Sequence, residues 1–297
     1  VEPIVDMANK PLIKMPFMKS RLAVTPTGIF LGDDTAWVYR SAAGQTPYSA
    51  SYPHSQNWSA LFNRIAADIG PSLIQLVLCP TFYQLVTADK PAVAAEEVAQ
   101  ALLWSVKDMV AMPPQNIHLD YFESSLTNSN KLQVVITDKA VLSAIAQSAD
   151  AAGMRFAGIS VEELMPTNLF ADESHARLVI SHVPAEDVLL TVVRAGELCM
   201  HRRIRGFREL DNVDADALHL GVADNLSLEI QRSMDFFESQ LRQPPVAAID
   251  LLVQGATDAL VKAVSANFNQ PVQATACEQV GAKMAALAFA ELQRERA

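Results

Sequence analysis

Apolar runs at residues 20–25, 27–31 and 35–39 are short and are broken by Pro26 and by Gly32-Asp33-Asp34, so they predict three strands of a β-meander. Over 57–69 the period changes to a helical one, with Leu61, Phe62, Ile65 and Ile69 on one stripe. Ser55 or Asn57 can cap that helix, because a side-chain oxygen there accepts a backbone N–H that the first turn leaves without a partner. Gly70-Pro71 ends it, and 73–79 is a continuous apolar run of the kind buried on both faces.

The same order returns later in the chain. Residues 176–183, 188–194 and 198–204 predict three strands, joined by Pro184-Ala185-Glu186-Asp187 and Ala195-Gly196-Glu197. A long helix over 222–242 follows, with Leu226, Ile230, Met234, Phe237 and Leu241 on one stripe, and Pro244-Pro245 stops it. Then come a buried strand at 248–253, a helix at 257–267 and a short strand at 272–275. A meander, a helix, a parallel strand and another helix, occurring twice, is the plan of a duplicated ribonuclease-H-like unit, the α/β actin-like fold. A doubly wound sheet alternates strand and helix from its first strand, and the two meanders do not fit it.

Material that the duplication does not need lies between the copies. A helix over 94–110, with Val98, Leu102, Val106 and Met109 or Val110 on one face, and strands at 117–122 and 132–136 predict a small inserted α+β subdomain. The expected organisation is a leader at 1–19, a first half at 20–170 with the insert at about 80–137, and a second half at 171–297. The leader has prolines at 3, 11 and 16, no clear period, and not the charged-then-apolar order of a signal peptide.

Half of the 297 residues are apolar, enough for a large core. A net charge of −10 argues against a nucleic-acid partner, since such affinity rests on Lys and Arg neutralising phosphates. Cys79, Cys199 and Cys277 stand apart in apolar settings and read as reduced core residues of a cytoplasmic protein. No apolar run approaches the roughly 20 residues of a membrane-spanning helix, so any membrane link goes through a partner.

The motifs of P-loop, dinucleotide-binding, zinc-protease and serine-hydrolase enzymes are missing, and the six histidines show no metal-ligand spacing. Glu162-Glu163 reads as negative charge at a helix start. The Arg194 to Arg208 cluster reads as a solvated face or as internal salt bridges. An actin-like fold binds nucleotide with the turn after the first strand of each meander. An Asp followed by Gly or small residues suits that task, because backbone N–H groups cradle phosphate while the carboxylate orients metal-bound water. The first turn is expected at Val24-Thr25-Pro26-Thr27-Gly28, the second at Ile180-Ser181-His182-Val183-Pro184, and neither has the Asp. Thr25, Thr27, Ser181 and His182 therefore form degraded clasps. On the adenosine side, Glu229 and Arg232 stand three apart on the long helix and Gly255 follows the buried strand. A surface ion pair explains the first two slightly better.

The segment from Asp224 to Phe237, DNLSLEIQRSMDFF, resembles the signature helix of PilM-type actin-like pilus biogenesis proteins. The segments ALLWSVKD from Ala101 and LDYF from Leu119 resemble that family's insert, and with RRIRGF from Arg202 they are most similar to its mannose-sensitive haemagglutinin (MSHA) branch. The resemblance covers about residues 21–287. It implies an actin-like scaffold at the cytoplasmic face of the inner membrane, whose groove between first half and insert receives the N-terminal cytoplasmic peptide of a PilN-like single-span protein. Leu119, Asp120, Tyr121 and Phe122 are the candidate wall of that groove, and self-association is left open. Members of the family bind ATP, but the departures at Thr25 and His182 mean that nucleotide and Mg²⁺ binding are not carried over.

Two other readings stand beside the scaffold. An ATPase or sugar kinase on the same fold needs a carboxylate at the phosphates, and Asp120 and Asp138 are not at the expected turns. The cytoplasmic part of a type II secretion protein would continue into a membrane helix.

Overall fold

The computed structural model describes residues 25–123, 126 and 130–294; the expected leader at 1–19 lies outside them. Two compact units are formed, one from the chain up to Glu162 together with Met284 onward, the other from Glu163–Lys283.

The first unit opens with an antiparallel meander of β1 (Thr25–Leu31), β2 (Thr35–Arg40) and β3 (Tyr48–Pro53). Helix α1 (Trp58–Ile69) buries Trp58, Leu61, Phe62, Ile65 and Ile69, and Asn57 Oδ1 accepts the Ala60 N–H at 3.1 Å, as a cap should. The helix returns the chain so that β4 (Ser72–Leu78) pairs with β1 in parallel. The insert follows: β5 (Gln84–Asp89), α2 (Val98–Val106), β6 (Ile117–Glu123) and β7 (Lys131–Asp138). Then α3 (Lys139–Ala151) leads to β8 (Arg155–Val161), which completes a sheet of order β3-β2-β1-β4-β8.

The second unit repeats this plan with β9 (Arg177–Ser181), β10 (Val188–Arg194), β11 (Glu197–Ile204), a single turn α4 (Ala215–Ala217), α5 (Ala223–Asp235), β12 (Ala248–Leu252), α6 (Thr257–Ser265) and β13 (Val272–Ala274). Its sheet order, β11-β10-β9-β12-β13, matches the first position for position. The expected stripe is buried: Leu226, Ile230 and Phe237 are fully enclosed and Met234 nearly so. Burying each such side chain contributes roughly 1.5–3 kcal/mol.

Three details differ from the expectation. Strand β1 begins at Thr25 and runs through Pro26, while the rest of the strand expected at 20–25 lies outside the described residues. Pro26 sits at the end of β1 that β2 does not reach, since the β2 pairing begins at Gly28, so its missing N–H removes nothing from that ladder. The third meander strand is β3, whose half-exposed YSASYP sequence carries little apolar signal because it lies at the sheet edge. Finally, the last helix α7 (Val280–Arg294) groups from Met284 with the first unit, although the sequence pattern assigned it to the second half. A Cβ on Gly28 would lie 2.1 Å from the Ala285 carbonyl oxygen, so that glycine is what lets the helix backbone rest on β1. Gln75 Nε2 of β4 donates to the buried Glu291 carboxylate at 2.9 Å and fixes the helix further along.

Candidate functional site

Within the first unit, the insert sheet runs β5-β7-β6, which leaves β6 at an edge. Side chains on a strand alternate between faces, and here the two faces have different tasks. Ile117, Leu119 and Tyr121 pack with Val98, Leu102 and Val106 of α2 in the insert's own apolar core. His118 and Asp120 turn the other way, toward the first sheet. There they line an open pocket with Val135 and Thr137 of β7, Leu78 of β4, Ile159 and Val161 of β8 and Leu142 of α3. The register explains the grouping, since His118 faces Thr137 and Asp120 faces Val135 across the ladder.

The pocket is apolar apart from three groups. Thr137 Oγ1 is engaged, donating to the Phe82 carbonyl at 2.8 Å. Burial pushes the Asp120 carboxyl up to about 6, although the Tyr121 N–H, 2.8 Å from Oδ1, works against that. His118 is pulled below the ordinary histidine value, chiefly by burial and then by the Lys139 charge. Of the four wall residues expected from sequence, Leu119 and Tyr121 belong to the insert core and not to the pocket, while Asp120 lines it and Phe122 shares its face by alternation. The β4, β7, α3 and β8 contributors were not anticipated. The alternation of β6 signalled His118, whereas pairing of distant strands brought in the others.

The expected clasp residues are dispersed. Thr25 and Thr27 lie inside β1, and the turn that leaves this strand is Gly32-Asp33-Asp34, closed by the Gly32 N–H to the Thr35 carbonyl at 2.9 Å. The first clasp was thus placed too early, because Pro26 reads as a turn signal; the turn itself carries two exposed carboxylates. His54 braces it, with its N–H on the Asp34 carbonyl and Nε2 3.2 Å from the Gly32 carbonyl oxygen.

In the second unit β9 ends at Ser181, two residues before the strand end expected at 183, and His182 opens the following turn. Three donors of this turn are already engaged. His182 N–H bonds the Leu252 carbonyl at 3.1 Å, Ala185 N–H the Arg208 carbonyl at 3.2 Å and Glu186 N–H the Val183 carbonyl at 3.1 Å; Pro184 has none to give. Arg208 also reaches Asp187 at 3.3 Å, and His182 Nε2 lies 3.1 Å from the Arg208 carbonyl oxygen, so the 208–211 segment is drawn onto the turn. Gly255 adopts a positive φ of 91°, and a Cβ there would stand 2.3 Å from the Asp211 carbonyl oxygen. Glu229 holds Arg232 at 2.5 Å and Arg202 at 2.6 Å, which uses both carboxylate oxygens in ion pairs. Glu163 is buried and pairs with Arg203 at 2.8 Å, so the arginine cluster makes internal salt bridges.

The structure is similar over nearly its whole length to the solved PilM-PilN type IV pilus biogenesis complex, with a TM-score of 0.64 at 16% identity, covering 92% of this chain and 99% of that one. A solved Bacteroides thetaiotaomicron protein with actin-like ATPase fold gives a TM-score of 0.51 at 11% identity, over 89% of this chain and 95% of that one. The chain has the actin-like fold. The cytoplasmic domain of EpsL, an inner-membrane component of the Vibrio cholerae type II secretion system, is also similar, with a TM-score of 0.53 at 14% identity over 89% of this chain and 94% of that one. No protein-family model matches the chain. No curated protein sequence matches it either. In actin-like terms, the pocket lies between the first-half sheet and the inserted subdomain. Among the described residues no helix is long and apolar enough to cross a membrane, and no cluster of His, Cys, Asp and Glu could hold a metal ion.

Proposed function

We propose that this chain is a PilM-type scaffold of type IV pilus assembly, of the MSHA branch, working at the cytoplasmic face of the inner membrane. Its task is to hold the N-terminal cytoplasmic peptide of a PilN-like single-span protein. The observation that carries this is the pocket between first-half sheet and insert, bordered by β6, an edge strand among the described residues. An extended peptide can continue the β5-β7-β6 sheet through backbone hydrogen bonds and place alternate side chains in the pocket, which suits a short segment tethered to a membrane.

The test uses a labelled synthetic peptide copying the first residues of the PilN-like protein that the chain retrieves from membranes. The expected result is saturable binding by fluorescence anisotropy together with slowed hydrogen exchange at the β6 amides. Binding without any slowing in residues 117–123, or no binding, overturns the assignment.

The scaffold is read as non-catalytic, with a degenerate nucleotide pocket. The engaged donors of the 182–186 turn support this, since a clasp needs free N–H groups to cradle phosphate. An ATP-binding ATPase or kinase is the second reading, and Asp33 and Asp34 in the first turn favour it. Calorimetry with Mg-ATP decides between them: no micromolar affinity is expected, and a micromolar Kd overturns the degenerate pocket while leaving the peptide groove in place.

A further inference from the structure

We propose that Asp120 makes the groove select a peptide with a cationic side chain, lysine or arginine, two positions from the apolar residue that fills the pocket. This rests on the peptide-binding function proposed above and specifies the ligand. The walls formed by Leu78, Val135, Leu142, Ile159 and Val161 are aliphatic and present an apolar surface to a ligand side chain. Asp120 is the one acidic group in that lining. A carboxylate among apolar walls costs stability unless an opposite charge pairs with it, and no Lys or Arg does so among the described residues. A ligand cation supplies that missing charge.

The spacing follows from strand geometry. In a peptide laid along β6, side chains two apart share a face, so one enters the pocket while the next on the same side meets Asp120. The stem of a lysine or arginine can lie along the apolar wall with only its head at the carboxylate. The charged and titratable surroundings are few. His118 shares the face, Lys139 at the start of α3 acts on His118, and the facing residues of β4, β7 and β8 are uncharged.

The raised value of the free Asp120 carboxyl gives the pairing a signature. A cation favours the ionised form, so binding expels the proton that Asp120 holds in the free protein at mildly acid pH. Affinity for a cationic peptide therefore rises from pH 5 to 7.5.

The experiment is a double-mutant cycle by anisotropy with the labelled PilN-like peptide, a copy with its Lys or Arg changed to norleucine, and the protein with and without Asp120→Asn. At pH 7.5, loss of the peptide cation or of the Asp120 charge is expected to weaken binding about tenfold, and loss of both no further. The rise with pH is expected to vanish in Asp120→Asn and to survive His118→Gln. Binding with no coupling between peptide cation and Asp120, a retrieved peptide without a cation, or a pH rise that persists in Asp120→Asn overturns this proposal alone. Absence of all binding overturns the peptide-binding function and this inference with it.

Discussion

The two halves share a strand order and a pairing pattern, yet their equivalent turns have become opposites. After β1 the turn is tight, with Asp33 and Asp34 exposed; after β9 it is long, buries His182 completely and has the His182, Ala185 and Glu186 N–H groups bonded within the unit. The first half also accepts an insert after β4, and the second leaves β12 for α6 directly. One copy gained an insert whose His118 and Asp120 line a pocket against the first sheet, and the other drew its own 208–211 segment onto the turn. Sheet topology is set by long apolar strands and tolerates such divergence. The chemistry of a turn rests on a few residues and changes with them.

The largest expected effects come from the phenylalanines that anchor the principal helix of each half. Phe62 of α1 and Phe237, just beyond α5, are both fully buried. Replacing either with alanine should cost about 3–5 kcal/mol, the usual penalty for removing a large core side chain. Urea denaturation gives the size of the loss, and hydrogen exchange gives its place. Phe237→Ala is expected to speed exchange in α5 and β12 while β1 and β4 keep their protection, and Phe62→Ala to do the reverse. Equal acceleration in both sheets after either change would show that the two copies unfold as one.

Two glycines sharpen the contrast at a smaller scale. Gly28→Ala pushes a Cβ into the backbone of α7, at 2.1 Å from the Ala285 oxygen, and Gly255→Ala pushes one into the Asp211 backbone at 2.3 Å while also holding a positive φ. Each should cost about 1–3 kcal/mol as overpacking against atoms that cannot rotate away. Thermal melts check the loss. Exchange at 210–212 should quicken only for Gly255→Ala, and exchange in α7 only for Gly28→Ala.

These positions show where sequence was informative. The duplication was legible because period and burial agree: the stripes of α1 and α5 and the continuous run of β4 have no other use. The inserted subdomain was legible for the same reason, and alternation along β6 divides Asp120 from Leu119 and Tyr121. Other features depend on tertiary pairing. Gly28 gives no local sign that a helix far along the chain will rest on it. Pro26 looks like a turn to any local rule, and only its place beyond the β2 ladder makes it tolerable in a strand. The β3 strand was missed because an edge needs little apolar surface. His182 lies in the turn after β9, but the Arg208 carbonyl that engages it comes from a distant segment with no motif.

The smallest expected effect concerns the histidines that brace the two turns. A carbonyl oxygen can only accept, so Nε2 of His54 donates to Gly32 and Nε2 of His182 donates to Arg208. Nδ1 is then left as an acceptor in the neutral ring. In His54 it takes the Gln56 N–H at 3.2 Å, whereas in His182 it faces the Asp211 carboxylate at 3.9 Å. Burial lowers the value of both rings below 6.5, opposed at His182 by Asp211 and at His54 by the Gly32 carbonyl and nearby Asp34. A base whose folded value is depressed binds more protons when unfolded, so its contribution is present above pH 6.5 and is lost as pH falls through the folded value. Protonation of His54 also removes the acceptor that Gln56 uses, while protonation of His182 gives Nδ1 a hydrogen to direct at Asp211. The two turns should therefore respond differently to acid. Urea midpoints between pH 7.5 and 5 are expected to fall for the wild type and to fall less for His54→Gln and for His182→Gln. Adding Asp211→Asn should steepen the fall wherever His182 is retained, because the carboxylate that offsets its burial is gone. An Asp211→Asn slope equal to wild type would show that the carboxylate does not act on the ring, and that burial alone sets how the second turn answers to acid.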